Sequence, residues 1–162
     1  MILNRLLGKA FINISIKNLI MTLIVGGIFP ISSEHATRIF DDGRTAFVKY
    51  TRFKELRKNS KIIFYISKEK RLFGEGTIES IERLDPKTAW ACFGQKIFLD
   101  KDEFERYSTK SPIGGNDRMM PEITVYLLRG LRKYSKSHQL STGMTPAGRY
   151  INNEEYKRIV DQ

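Results

Sequence analysis

Lys61 to Leu84, KIIFYISKEKRLFGEGTIESIERL, reads as two β-strands joined by a short charged turn. Ile62 to Ile66 form an unbroken apolar run of strand length, rich in β-branched and aromatic residues, and the charged turn Ser67 to Arg71 ends it. Its partner begins at Leu72 and passes through Gly74 and Gly76, where a missing side chain suits a bulge or a close backbone approach within a sheet. The reading is a bent hairpin at the centre of the fold.

The same stretch carries a family resemblance. A KIIFYIS strand, a basic turn and then LFGEGTIESIE resembles the central hairpin of the PUA-like superfamily, whose ASCH and EVE members are small β-barrels decorated with helices. On these residues the chain is identified as a member of that superfamily, in an uncharacterised archaeal branch. The resemblance implies an α+β fold, a small mixed or antiparallel β-barrel with one helix after the first strand and others near the C-terminus. It also implies a class of ligand, RNA or a modified base in nucleic acid, and no particular reaction.

Composition sets the outer bounds. At 162 residues the chain has the length of one domain and enough apolar residues to build a core without disulfides or metals. Lys and Arg number 28 against 18 Asp and Glu, giving +10, a balance that favours an anionic partner: nucleic acid first, a membrane surface second. The single cysteine, Cys92, excludes an intramolecular disulfide and any zinc site built on two or more thiolates, and points to a cytoplasmic setting. Its neighbours Trp90 and Phe93 suggest a buried apolar thiol.

Residues 1–20 contain Arg5, Lys9 and Lys17 and no acid, and read as an N-terminal extension or a mis-assigned start, with Met21 opening the domain over residues 21–162. The longest uncharged run, Asn18 to Ser33, falls short of the roughly 20 residues a spanning helix needs and holds Gly26, Gly27 and Pro30. Thr22 to Phe29 is a buried strand that Pro30 ends. A helix follows, capped by Ser32 or Ser33, with Ala36, Ile39 and Phe40 as its apolar stripe and Gly43 as its stop. His35, in its first turn, reads as a solvated or capping histidine.

RTAFVKYT, Arg44 to Thr51, alternates as a half-buried strand would. ASCH domains carry Gly-x-Lys-x-x-Glu-x-Arg across this junction; aligned on Gly43, the Lys, Glu and Arg positions hold Thr45, Val48 and Tyr50. The resemblance therefore carries the fold without the chemistry proposed for ASCH proteins. Next comes the most basic stretch, with Arg52, Lys54, Arg57, Lys58 and Lys61 against one acid, Glu55, and with Phe53 and Leu56 interleaved. Two apolar residues pinning a short turn would expose these cations to phosphate; a merely solvated turn is the alternative. A second basic cluster, Lys68, Lys70 and Arg71, lies at the far end of the hairpin strand.

Beyond the Asp85-Pro86 turn, Trp90 and Phe93 read as core residues or, on the EVE resemblance, as a wall on which a base stacks. Ile97 to Leu99 reads as a strand, and Asp100 with Glu103 as a capping box for a helix that buries Phe104 and Tyr107. Ser108 to Pro121 has loop composition and offers Asn116, Asp117 and Arg118 as candidates. Ile123 to Leu128 is the last clear strand, trailed by Arg129, Arg132, Lys133 and Lys136, and the tail turns at Pro146 to Gly148 into a helix capped by Asn152 and Glu155, burying Tyr156, Ile159 and Val160. Arg149 and Tyr150, just before it, are within reach of a ligand in principle.

No nucleotide-binding glycine loop, Walker motif, nucleophile elbow or paired-cysteine motif occurs; Gly74-Glu75-Gly76 leads into strand where a phosphate-binding loop needs a helix. No enzymatic activity, cofactor or metal is assigned. The expected function is binding of RNA or modified-base nucleic acid between the first helix, the Lys49–Lys61 segment and the hairpin. Lys49, Arg52, Lys54, Arg57, Lys58, Lys68, Arg71 and Arg118 would hold phosphate, and Tyr50, Tyr65 or Trp90 would stack. The alternatives are a small ASCH-like ribonuclease using Lys49 or Tyr50 as general acid or base, and a protein-binding scaffold.

Overall fold

The computed structural model describes residues 24–109, 122–140 and 144–161. The expected N-terminal extension and the candidates Asn116, Asp117 and Arg118 lie outside the described residues. In chain order the elements are β1 (Ile24–Ile31), α1 (Ser33–Phe40), β2 (Ala46–Lys49), β3 (Lys61–Ile66), β4 (Arg71–Leu84), α2 (Pro86–Phe93), α3 (Lys101–Thr109), β5 (Ile123–Gln139), β6 (Arg149–Asn152) and α4 (Asn153–Val160). The fold is α+β, with a helix after the first strand and others toward the C-terminus.

β3 and β4 pair antiparallel from Lys61↔Thr77 to Ile66↔Arg71, with a register shift between Phe64 and Tyr65. β3 also pairs with β1, in parallel, which makes it a central strand, and a core cluster covers each of its faces, so Ile62, Ile63 and Phe64 are inaccessible to solvent. The glycines have the purpose their positions suggest. A Cβ at Gly74 would lie 2.5 Å from the Arg132 carbonyl oxygen and 2.7 Å from the Phe40 ring, and one at Gly76 would lie 2.9 Å from Leu131. The bulge expected at this hairpin is a shift between Leu72 and Gly74 in the β4–β5 ladder.

All six strands form one sheet in the order β2-β5-β4-β3-β1-β6. The barrel expected from the resemblance does not close: β2 and β6 are edges and share no ladder. The sheet nevertheless curls far enough that Phe29 of β1 meets Phe47 of β2, ring centroids 5.2 Å apart, although three strands separate them in the order. Side chains bridge the remaining seam, where Phe53 packs edge-on against Tyr150 of β6 at 5.2 Å. Two four-residue edge strands are too short to ladder across it.

Other expectations need correction. Pro30 does not end β1, which runs through it to Ile31 with both residues still in register with β3. β2 is not half-buried: Ala46, Phe47 and Val48 are all covered, because the 97–99 segment lies along this edge. That segment forms a single bridge, Ile97 to Ala46, rather than a strand. Pro86 to Phe93 is a helix, capped by Asp85, whose carboxylate accepts the Thr88 N–H at 3.0 Å, with proline at the first turn where its missing N–H costs nothing. Cys92 is exposed on it, not buried. β5 runs 17 residues through the basic run read as a trailing segment, and RYIN forms β6. Both gain their partners from strands distant in sequence.

The main core fills the concave side of the sheet, beneath α1, α2 and α3. A second cluster of Ile28, Ile63, Leu72, Ile151 and Ile159 lies on the other side, under α4, with Tyr156 and Val160 only half-buried. Among the described residues no helix is long and apolar enough to cross a membrane.

Candidate nucleic-acid interface

Thr51 to Ser60 leaves the sheet after β2 and returns at Lys61, and its shape is set by what it can bury. Phe53 and Leu56 are the apolar residues of the stretch, and both are buried; Phe53 packs edge-on against Phe29 at 4.8 Å. Four backbone anchors hold the turn between them. Phe53 N–H donates to the Tyr126 hydroxyl at 3.4 Å, Glu55 N–H to the Tyr150 hydroxyl at 3.2 Å, Arg57 N–H to Ser60 Oγ at 3.1 Å, and Asn59 N–H to the Ile78 carbonyl at 2.8 Å. Asn59 takes the left-handed conformation, φ 73°, that asparagine tolerates in turns.

With the apolar pair facing in, the cations face out. Arg52, Lys54, Arg57 and Lys58 are exposed, and among the described residues none of them pairs with a carboxylate. Arg129 of β5 joins them, its guanidinium donating to Asn59 Oδ1 at 2.9 Å. Nothing in the spacing of the sequence linked Arg129 to this turn; the link exists because β5 lies beside β4, where Arg129 pairs with Thr77.

At the root of the turn Lys49 extends over the Phe29 ring, 5.6 Å from its centroid, and burial lowers its pKa. Tyr50 packs on Tyr107 of α3 at 4.6 Å, and the Tyr107 hydroxyl accepts the Tyr50 N–H at 3.1 Å. The Tyr50 hydroxyl is buried without a hydrogen-bond partner among the described residues, and burial with the neighbouring Tyr107 pushes its pKa up to about 12. It is a neutral phenol at physiological pH, unsuited to act as a general base.

The remaining sequence candidates lie elsewhere. Lys68 and Arg71 sit at the other end of β3, about 17 Å along a six-residue strand, so the two basic clusters are separate surfaces. Arg71 pairs with Glu69 and stacks over Phe73. Tyr65 points to the second cluster under α4, and Trp90 packs against Phe104 at 5.1 Å between α2 and α3. Tyr50, Tyr65 and Trp90 therefore share no common wall.

Two ionic networks, one centred on the buried Arg38 and one on the buried Glu75, are satisfied internally. Arg38 is held by Glu34, Asp100 and Glu103 and donates to the Phe98 carbonyl, tying α1 to α3. Only half of the expected capping box forms: Glu103 accepts the Asp100 N–H at 2.8 Å, while the Asp100 carboxylate turns to Arg38 and Arg44. Burial raises the Glu103 pKa, but the Asp100 N–H, Arg38 and His35 outweigh it and hold the carboxyl down at about 2. On the other side of the sheet the buried Glu75 accepts from Tyr134 at 2.8 Å, Tyr156 at 3.1 Å and Arg132 at 3.2 Å, which fastens α4. Arg149 is likewise engaged with Glu155.

Residues 24–153 match a family described as a domain of unknown function, DUF365. The chain belongs to the DUF365 family. A relative, an uncharacterized protein of Methanocaldococcus jannaschii, is 31% identical over 105 residues, 62% of this chain and 96% of that one. Among solved structures, the ASCH protein of Zymomonas mobilis superposes with a TM-score of 0.71 at 18% identity, covering 85% of the DUF365 chain and 94% of its own. A tyrosine-to-phenylalanine variant of it gives 0.70 at 18% identity, covering 85% and 97%. The N-terminal domain of Staphylothermus marinus McrB gives 0.56 at 14% identity, covering 88% and 96%. These likenesses establish the ASCH-like, PUA-like fold expected from the central hairpin. The ASCH signature positions remain non-ionic here, with Val48 sealed in the core and the Thr45 carbonyl bound to the Leu128 N–H.

Proposed function

We propose that this DUF365 domain binds RNA through the turn Arg52–Lys58, with Arg129 as a further phosphate contact from β5. One observation carries the reading: four exposed cations, unpaired with any carboxylate among the described residues, stand on a turn whose backbone is already fixed by two tyrosine hydroxyls. Fixing the turn before binding removes ordering entropy from the cost of association. Cations without internal partners release counterions when they meet phosphate, and about five such contacts would make log K fall with log salt at a slope of roughly −3 to −5. The PUA-like fold supports the same reading through the ligand class that the resemblance implies.

The test is fluorescence anisotropy of a labelled single-stranded RNA across a salt series, with DNA of the same sequence alongside. The triple variant Arg52→Glu, Lys54→Glu, Arg57→Glu is expected to lose the salt-sensitive affinity. Unchanged affinity in the folded variant overturns this placement of the site.

A further inference from the structure

The rings around the Arg52–Lys58 turn are engaged in building it, and its cations are what it shows to solvent. Phe53 is buried and packs edge-on against both Phe29 and Tyr150, at 4.8 and 5.2 Å. The Tyr126 and Tyr150 hydroxyls accept the Phe53 and Glu55 N–H groups. Tyr50, at the root of the turn, packs on Tyr107 at 4.6 Å with its hydroxyl buried. Among the described residues every aromatic side chain is buried or half-buried, and Phe11 is the one aromatic residue of the chain outside them. Along the turn Arg52, Lys54, Arg57 and Lys58 face outward, with Arg129 beside them on β5.

Single strands and duplexes ask for different surfaces. A protein that holds a single strand draws much of its affinity from stacking unpaired bases on exposed rings. A duplex keeps its bases stacked inside and offers two lines of phosphate, so a surface of cations alone meets more charge on it than on one strand. The four backbone anchors of the turn also hold the roots of its cations at set spacings, which suits a helix of fixed phosphate geometry better than a flexible strand.

Resting on the reading of this turn as an RNA site, we infer that its substrate class is double-stranded RNA, held through the phosphodiester backbone irrespective of sequence. The cations contact phosphate oxygens, and the bases stay in the helix. A modified base drawn out of its stack would need a ring-lined pocket at the turn, and the rings there are already engaged.

Anisotropy with two labelled RNA duplexes of equal length and unrelated sequence, and with their separated strands, tests this. The duplexes are expected to bind alike, with a salt slope of about −4.5 for five contacts against about −3.5 for a strand, a difference worth about tenfold in affinity at 0.1 M salt relative to 1 M. Lys54 is exposed and has no carboxylate partner among the described residues, so its removal does not put folding at risk. Lys54→Ala weakens both duplexes by the same factor and lowers the slope by about 1, the mark of a phosphate contact, whereas loss of a base contact weakens one duplex more than the other. A single strand that binds as tightly as its duplex, or a difference of about tenfold or more between the duplexes, overturns the inference. In that case the turn stands as an RNA site if the triple variant Arg52→Glu, Lys54→Glu, Arg57→Glu abolishes the binding. RNA binding that survives in the folded triple variant overturns the turn as the site, and failure of every RNA to bind overturns both.

Discussion

The Tyr150 hydroxyl accepts the Glu55 N–H at 3.2 Å, so β6 at one edge of the sheet holds the turn that follows β2 at the other. The bond does for the open seam what a ladder would do in a closed barrel, and it leaves the cations of the turn free. Tyr150→Phe keeps the packing on Phe53 and removes only the acceptor. The expected result is a stability loss of about 1 kcal/mol, the usual net value of one hydrogen bond, and faster amide exchange at Glu55 in particular. Unchanged exchange at Glu55 would show that the contact does not restrain the turn.

Gly26 and Gly43 separate two reasons for glycine. A Cβ at Gly26 would stand 2.2 Å from the Lys61 carbonyl oxygen, inside the β1–β3 pair, whereas at Gly43 nothing lies within 4 Å but φ is +68°. Gly26→Ala should cost about 3 kcal/mol or more by forcing the strands apart, and Gly43→Ala about 1 kcal/mol through the left-handed backbone alone. Urea unfolding of both variants checks the order.

Stability should fall in acid through Glu103. Its folded pKa, about 2, lies below its ordinary value of 4.5, so the folded state holds its proton less tightly than the unfolded state does. Its contribution is therefore complete above about pH 4.5 and is lost as pH falls from there toward 2. Glu103→Gln is expected to be less stable at pH 7 and to show a flatter pH dependence in that window. Identical slopes for the two proteins would remove Glu103 from the account.

Trp90 is the chain's one tryptophan, and its contact with Phe104 makes it a reporter of the α2–α3 pairing. Phe104→Ala should shift its emission to longer wavelength and destabilise the fold by about 3 to 5 kcal/mol. An unshifted spectrum in the folded variant would mean that Trp90 is shielded by other contacts.

The legibility of the site followed the same division as the fold. Arg52, Lys54, Arg57 and Lys58 were evident because charge and the Phe53–Leu56 pair are neighbours in sequence. Arg129 was not, since the β4–β5 pairing is what brings it to Asn59. The helix at Pro86 has a local signal, an Asp-Pro cap followed by Thr88.

By itself the sequence determined what rests on near neighbours: the apolar run of β3, the charged turn, the glycines of β4, the caps of α1 and α4, and the excess of positive charge. Tertiary structure alone decided that the sheet curls without closing, that β5 absorbs a basic run with no strand pattern of its own, and that RYIN is a strand. It also decided which cations keep a carboxylate partner and which are left for a ligand. The physical reason is that strand pairing and ion pairing are satisfied between segments far apart in the chain, where no spacing of residues records the partner.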